Sequence, residues 1–177
     1  LNDAHRERFE STDDLVVGLQ LTHSGRFCRP NSKQLEPRIA YHHPLLDAKF
    51  GIDAHDESIV WTDEQLDELI VDYVNAAKTA FEVGYQFVDV KACHGYLLHE
   101  FLSARTRPGR YGGDFEGRTN ILRSIIKAIQ SEVPELVIMV RLSVFDTPPF
   151  ITSREIGKPM DYETLMPYHI GFGVDAN

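Results

Sequence analysis

Three short apolar runs, separated by two amphipathic stretches, constrain the fold of this 177-residue chain more than any other feature. The runs are rich in Val, Ile and Leu, and they are LVVGLQL at 15–21, FVDVK at 87–91 and LVIMVRLS at 136–143. Continuous apolar runs of this length are typical of buried parallel strands. The sequence therefore predicts alternating strands and helices, a parallel sheet and right-handed crossovers.

The two stretches between these strands have helical periodicity. The first begins at Thr62 in TDEQ, a capping box in which the Thr62 hydroxyl accepts from the Gln65 amide, and Gly84 is placed to end it. The second ends before Pro134. Their apolar positions are Leu66, Leu69, Ile70, Tyr73, Val74 and Ala77, then Ile121, Leu122, Ile125, Ile126 and Ile129. Both a doubly wound sheet and a (β/α)8 barrel fit this order of elements.

Residues 23–61 separate the first strand from the first helix without any sustained period. They contain Pro30, Pro37 and Pro44 and several polar clusters. A loop of this length inside a compact domain is usually functional, so we expect a lid or binding loop here.

Composition excludes several classes of partner. A net charge of −9 without a basic face argues against nucleic acid and anionic membranes. No apolar run approaches the roughly 18 to 20 residues that span a bilayer. Cys28 and Cys93 are far apart, which disfavours a disulfide framework and favours the cytoplasm. We expect a small-molecule substrate, with a homo-oligomer left open, in a chain that we interpret as cut at both ends.

Polar side chains follow all three predicted strands at the carboxyl ends, where parallel α/β folds bind ligands. They are Gln20, His23, Gly25 and Arg26 after the first strand, Lys91, His94 and Tyr96 after the second, and Arg141, Ser143 and Asp146 after the third. Strand parity places Asp89 and Lys91 on one face. Either the two form an internal ion pair, or Lys91 faces a ligand's negative or polarised oxygen.

A metal site is not expected near the second strand. Cys93, His94 and His99 are the candidate ligands, but His94 and His99 fall on different helix faces and a fourth ligand is missing.

Four stretches together carry a resemblance to a known family. GLQLTHSGR, HGYLLHEFLSA, RPGRYGGDFEGR and VRLS occur in this order between Leu15 and Ser143, and they resemble the Old Yellow Enzyme family of NADH:flavin oxidoreductases. The resemblance implies a (β/α)8 TIM barrel, of which residues 1–177 form a single incomplete FMN-binding domain with about strands 3 to 5. It also implies FMN at the carboxyl ends of the strands, with NADH or NADPH reducing activated alkenes in an ene-reductase reaction.

The resemblance also implies roles for individual residues. Gln20 resembles the glutamine that bonds the flavin pyrimidine, and Arg141 the arginine at its N1 and O2 edge. His94 matches the second residue of the pair that grips the substrate carbonyl, and Tyr96 matches the proton donor. Lys91 stands where the family has histidine, so it polarises the carbonyl or lies by flavin O2 in a different way.

Two alternatives stay open. The position of Lys91 also varies in relatives such as dienoyl-CoA reductases and amine dehydrogenases. Barrel phosphate sites are commonly built after strands seven and eight, so this chain by itself is alternatively a non-catalytic fragment that does not hold FMN.

Overall fold

The computed structural model describes residues 1–144. Asp146, named above as a strand-end residue, lies outside them. The helices and strands are α1 (Asn2–Phe9), β1 (Gly18–Leu21), α2 (Pro44–Phe50), α3 (Asp63–Glu82), β2 (Phe87–Ala92), α4 (Leu97–Leu102), α5 (Phe115–Glu132) and β3 (Val137–Leu142). Single 3-10 turns lie at Gly25–Phe27 and Glu57–Ile59.

The three strands form one parallel sheet in the order β1, β2, β3, as the sequence predicts. The first strand is shorter than predicted, because its neighbour β2 begins at Phe87, opposite Gly18. Just before the strands, Gln86 bonds Val17 through its backbone amide and its side chain. The sequence order of the strands is therefore also their order in space.

The helices α3 and α5 cover one face of this sheet. The capping box of α3 is confirmed: the Gln65 amide donates to the Thr62 hydroxyl at 3.2 Å, and the Thr62 amide donates to the Gln65 side chain at 3.1 Å. At the start of α5, the Asp114 carboxylate accepts from the Gly117 amide. The core side chains of this layer are Leu66, Leu69, Tyr73, Val74, Ala77, Val88, Val90, Ala92, Ile121, Leu122, Ile125 and Ile129. The opposite face of the sheet is left for polar side chains.

Residues 23–61 are more ordered than the sequence indicates. They contain α2 and both 3-10 turns, and Ile39 and Val60 form a parallel bridge. Pro44 begins α2, and Gly51 ends it with a left-handed φ of 66°. The side chains of Ile39 and Tyr41 are buried, so part of this segment belongs to the core.

Among residues 1–144, no helix has both the length and the apolar character needed to cross a membrane.

Candidate active site at the strand ends

The register of the sheet brings three of the expected site residues onto one face. Gln20 lies opposite Asp89, and Lys91 lies opposite Arg141 on the next strand. This is the face that α3 and α5 leave uncovered, and both Gln20 and Arg141 are exposed. Donors from three adjacent strands therefore line one surface.

The Asp89 carboxylate is hydrogen-bonded to Gln20. The Gln20 side-chain amide donates to an Asp89 carboxylate oxygen over 2.7 Å. This bond fixes the Gln20 amide with its carbonyl oxygen available, because a side-chain amide both donates and accepts. The internal Asp89–Lys91 ion pair considered from the sequence is therefore not what the structure contains.

Lys91 instead lies over the Tyr96 ring. Its ammonium nitrogen is 3.5 Å from the ring centroid, and the residue is only 8% exposed. This is a cation–π contact, in which the negative face of the ring attracts the cation. Tyr96 is half-buried, and its hydroxyl has no hydrogen-bond partner within residues 1–144. The contact brings together two of the three expected catalytic side chains.

His94 lies on the sharp turn between β2 and α4. It is exposed, and its φ of 62° is in the left-handed region, where residues other than glycine are uncommon. Gly95 follows with a φ of 71°, and its amide donates to His99 Nδ1 over 2.8 Å. Such backbone strain is often found at functional sites. His94 is next to the Lys91–Tyr96 pair along the chain, but its side chain makes no hydrogen bond to either residue in the described part.

Two phenylalanines extend the Tyr96 surface, and sequence reasoning missed both. The Phe27 ring lies 5.3 Å from the Tyr96 ring, and Phe50 packs edge-on against Phe27 at 4.9 Å. Phe27 remains 37% exposed. The only available signal was that Phe27 directly follows the HSGR stretch. Residues 23–61 thus contribute an aromatic wall beside Tyr96.

A buried ion-paired cluster that includes a residue of α4 was also missed. The Arg26 guanidinium pairs with Asp47 and with Glu100, the latter at 2.5 Å, and donates to the Tyr41 carbonyl at 2.6 Å. His42 donates to the other Asp47 oxygen at 2.7 Å. The cluster joins residues 23–61 to α4, whose N-cap is Tyr96.

Glu100 is the central acid of this cluster. Its side chain is 0% exposed, and one oxygen accepts from the Ala40 amide at 3.0 Å. Burial raises the pKa of Glu100 to about 7, against the opposing attraction of Arg26.

Burial also lowers the pKa of His23, whose carbonyl accepts from the Leu97 amide. His23 and Arg26 therefore support the turn on which Tyr96 is held.

Within residues 1–144, no group of three or more His, Cys, Asp or Glu side chains is arranged to hold a metal ion.

Comparison with known proteins decides the family. The sequence matches the model of the NADH:flavin oxidoreductase / NADH oxidase family over residues 11–158. The chain belongs to this family. An NADPH dehydrogenase of Listeria monocytogenes is 37% identical over 133 residues, which are 73% of this chain and 36% of that protein. NADH:flavin oxidoreductase FG08077 of Gibberella zeae is 43% identical over 89 residues, 49% of this chain and 22% of that protein. The chain thus spans about a third of such relatives or less.

Two solved structures share this fold. The old yellow enzyme homologue of Zymomonas mobilis aligns with a TM-score of 0.57 and 26% identity, over 72% of this chain and 37% of that one. Histamine dehydrogenase of Rhizobium sp. 4-9 aligns with a TM-score of 0.59 and 24% identity, over 75% of this chain and 19% of that one. The three parallel strands with their helices are therefore part of a (β/α)8 barrel, and the resemblance to Old Yellow Enzyme is confirmed.

Proposed function

We propose that the protein is an FMN-dependent oxidoreductase of Old Yellow Enzyme type, which passes hydride from NADH or NADPH by way of the flavin to an activated, enone-like alkene. The observation that carries the proposal is the convergence of Gln20, Lys91, Arg141 and Tyr96 at the carboxyl ends of parallel strands. Active sites of (β/α)8 barrels lie at this end. Membership of the NADH:flavin oxidoreductase family supports both the cofactor and the electron donor.

The uncovered face fits a flavin in its donor set. The pyrimidine edge of FMN has carbonyl oxygens and one N–H, so it needs donors and one acceptor. Gln20 can provide both, because only one of its two amide N–H groups donates to Asp89, so the other N–H and the carbonyl oxygen remain available. Arg141 adds an exposed guanidinium on the same face, which would favour the negative charge of the reduced cofactor. FMN, when bound, supplies hydride transfer.

Tyr96 is our proposed proton donor. A phenol remains protonated at neutral pH, and the hydroxyl of Tyr96 is not engaged within the described residues. The ring is held from three directions, by Lys91 over its face, by Phe27 beside it and by α4 after it. A held ring orients its hydroxyl, and orientation is a large part of what an enzyme contributes.

His94 and Lys91 are our proposed substrate-binding groups. They would withdraw electrons from the alkene by binding its activating group. Both closely precede Tyr96 in the sequence, and Lys91 contacts its ring. A small-molecule partner follows from this function, while the cytoplasmic location expected from the cysteines stays a proposal.

Replacement of Tyr96 by Phe tests this assignment in the intact, FMN-loaded protein. We expect alkene reduction to slow by about 10²- to 10⁴-fold, the usual contribution of a general acid, while flavin reduction by the nicotinamide keeps its rate. The two half-reactions are followed separately by flavin absorbance without oxygen. Tyr85→Phe, a half-buried tyrosine outside the site, is the matched control. Equal losses in both half-reactions would contradict a proton-donor role.

A second candidate applies to the 177-residue stretch by itself. Several apolar side chains of β3 are exposed, among them Val137, Met139 and Leu142. An exposed apolar strand edge is normally covered by further structure. This favours a non-catalytic barrel section when the stretch is isolated. Purified as such, it should be colourless, whereas a retained flavin band would contradict this alternative.

A further inference from the structure

Lys91 differs from every other buried charged side chain in the described part of the chain. Arg26, Asp47 and Glu100 form one ion-paired cluster. Arg107 pairs with Asp63 at 2.9 Å. Lys91 is 8% exposed, and within residues 1–144 its ammonium group contacts the Tyr96 ring and pairs with no carboxylate.

A lysine side chain that is more than nine-tenths buried and has no carboxylate partner is well placed to bind an anion. Lysines are rarely buried without a partner of opposite charge, because removal of water from the ion is costly. The ring face compensates for only part of that loss, since its attraction comes from a quadrupole and not from a full negative charge. Asp89 lies on the same strand face, but its carboxylate accepts from Gln20 and forms no ion pair with Lys91. Within the described residues, the Lys91 ammonium group is therefore available to pair with an anion of a bound ligand.

We propose that Lys91 binds a carboxylate of the substrate, so that the substrate class is an unsaturated carboxylic acid and not a neutral enone. This inference rests on the proposed function and refines its substrate. The exposed ring of Phe27, which packs against Tyr96, offers a surface for the apolar part of such an acid. A cation beside an aromatic wall matches a ligand with an anionic head and an apolar tail.

The reduced flavin is a second source of anionic oxygen. Arg141, on the neighbouring strand opposite Lys91, is the cation that we assign to it, because its guanidinium is exposed and lacks the aromatic lid. Lys91 is then left for the substrate. The experiment must separate these two anions.

Calorimetric titration of the intact, FMN-loaded protein with trans-cinnamate and with cinnamamide provides that separation. The two probes have nearly the same shape and differ in charge. We expect the wild-type protein to bind cinnamate more tightly by roughly ten- to a hundredfold, the usual range for a hydrogen-bonded charge pair. Lys91→Met should abolish the preference, and Lys91→Arg should keep most of it. Lys127→Met removes the same charge from an exposed site on α5 and should leave the preference for cinnamate unchanged.

Several results would overturn the inference. One is equal affinity of the wild-type protein for the two probes, a measurement that depends on no variant. Another is a cinnamate preference that survives Lys91→Met. A third is weaker FMN retention in Lys91→Met with the cinnamate preference intact, which would assign Lys91 to the flavin. Failure of NADH and NADPH to bleach the bound flavin would instead contradict the proposed function, so the two failures are distinguishable.

Discussion

Glu100→Gln should remove a pH-dependent loss of stability from the protein. Glu100 is fully buried beside Arg26 and the Ala40 amide, and burial raises its pKa from 4.5 to about 7. Asp47 shares the same guanidinium, so that one positive charge serves two carboxylates. The folded state therefore favours the protonated form of Glu100. Glutamine has nearly the same shape but does not titrate.

The expected magnitude follows from the two pKa values. Because the folded pKa is raised, the contribution of Glu100 is fully present below pH 4.5 and is lost as the pH rises through about 7. Across this window, each pH unit lowers the free energy of unfolding by about 1.4 kcal/mol. The whole loss is roughly 3 kcal/mol, the order of magnitude expected for a fully buried acid. The variant should lack this slope.

Urea unfolding of the intact protein, followed by circular dichroism, measures the effect. The free energies of unfolding of wild type and variant are compared at several pH values between 4.5 and 7 and on either side. As the pH rises, the free energy of unfolding of the wild type should fall relative to that of Glu100→Gln. Glu68→Gln, at an exposed position of α3, controls for the loss of one negative charge. If the free energies of unfolding of wild type and Glu100→Gln depend on pH in the same way, the reasoning is refuted. Such a result would mean that Glu100 has the same pKa in the folded and unfolded states.

Four further substitutions test other parts of the structure. Thr62→Ala should lower the free energy of unfolding by about 1 kcal/mol through loss of the capping box, and an unchanged urea midpoint would contradict this. Ile125→Ala should cost about 2 to 5 kcal/mol, because the side chain is fully buried between α5 and the sheet, and a smaller loss would indicate a loosely packed core. Gly25→Ala should lower the melting temperature, since φ is +59° and the new Cβ would lie 2.9 Å from the Leu97 amide nitrogen; wild-type melting would refute this. Lys91→His should shift turnover towards neutral enones, and an unchanged substrate profile would oppose a role for Lys91 in substrate choice.

Local signals in the sequence were sufficient for the main elements of the fold. Each strand was visible as a short apolar run, and α3 and α5 were visible from their spacing and caps. These signals span only a few neighbouring residues, so they can be recognised without knowledge of the tertiary structure. The short helices α1 and α2 were missed, since seven or eight residues give little periodicity. Pro44 and Gly51 at the two ends of α2 were a usable but overlooked signal.

The sequence by itself determined which residue types reach the carboxyl ends of the strands, because strand parity and the family motifs are properties of neighbouring residues. Only the tertiary structure decided their partners. Parity placed Asp89 and Lys91 on one face. The register with β1, however, places Gln20 opposite Asp89, and the two form a hydrogen bond. The turn at His94 brings the Tyr96 ring beneath Lys91. Pairs of charges distant in sequence are selected by burial and by the approach of whole elements, and no local pattern encodes either of these.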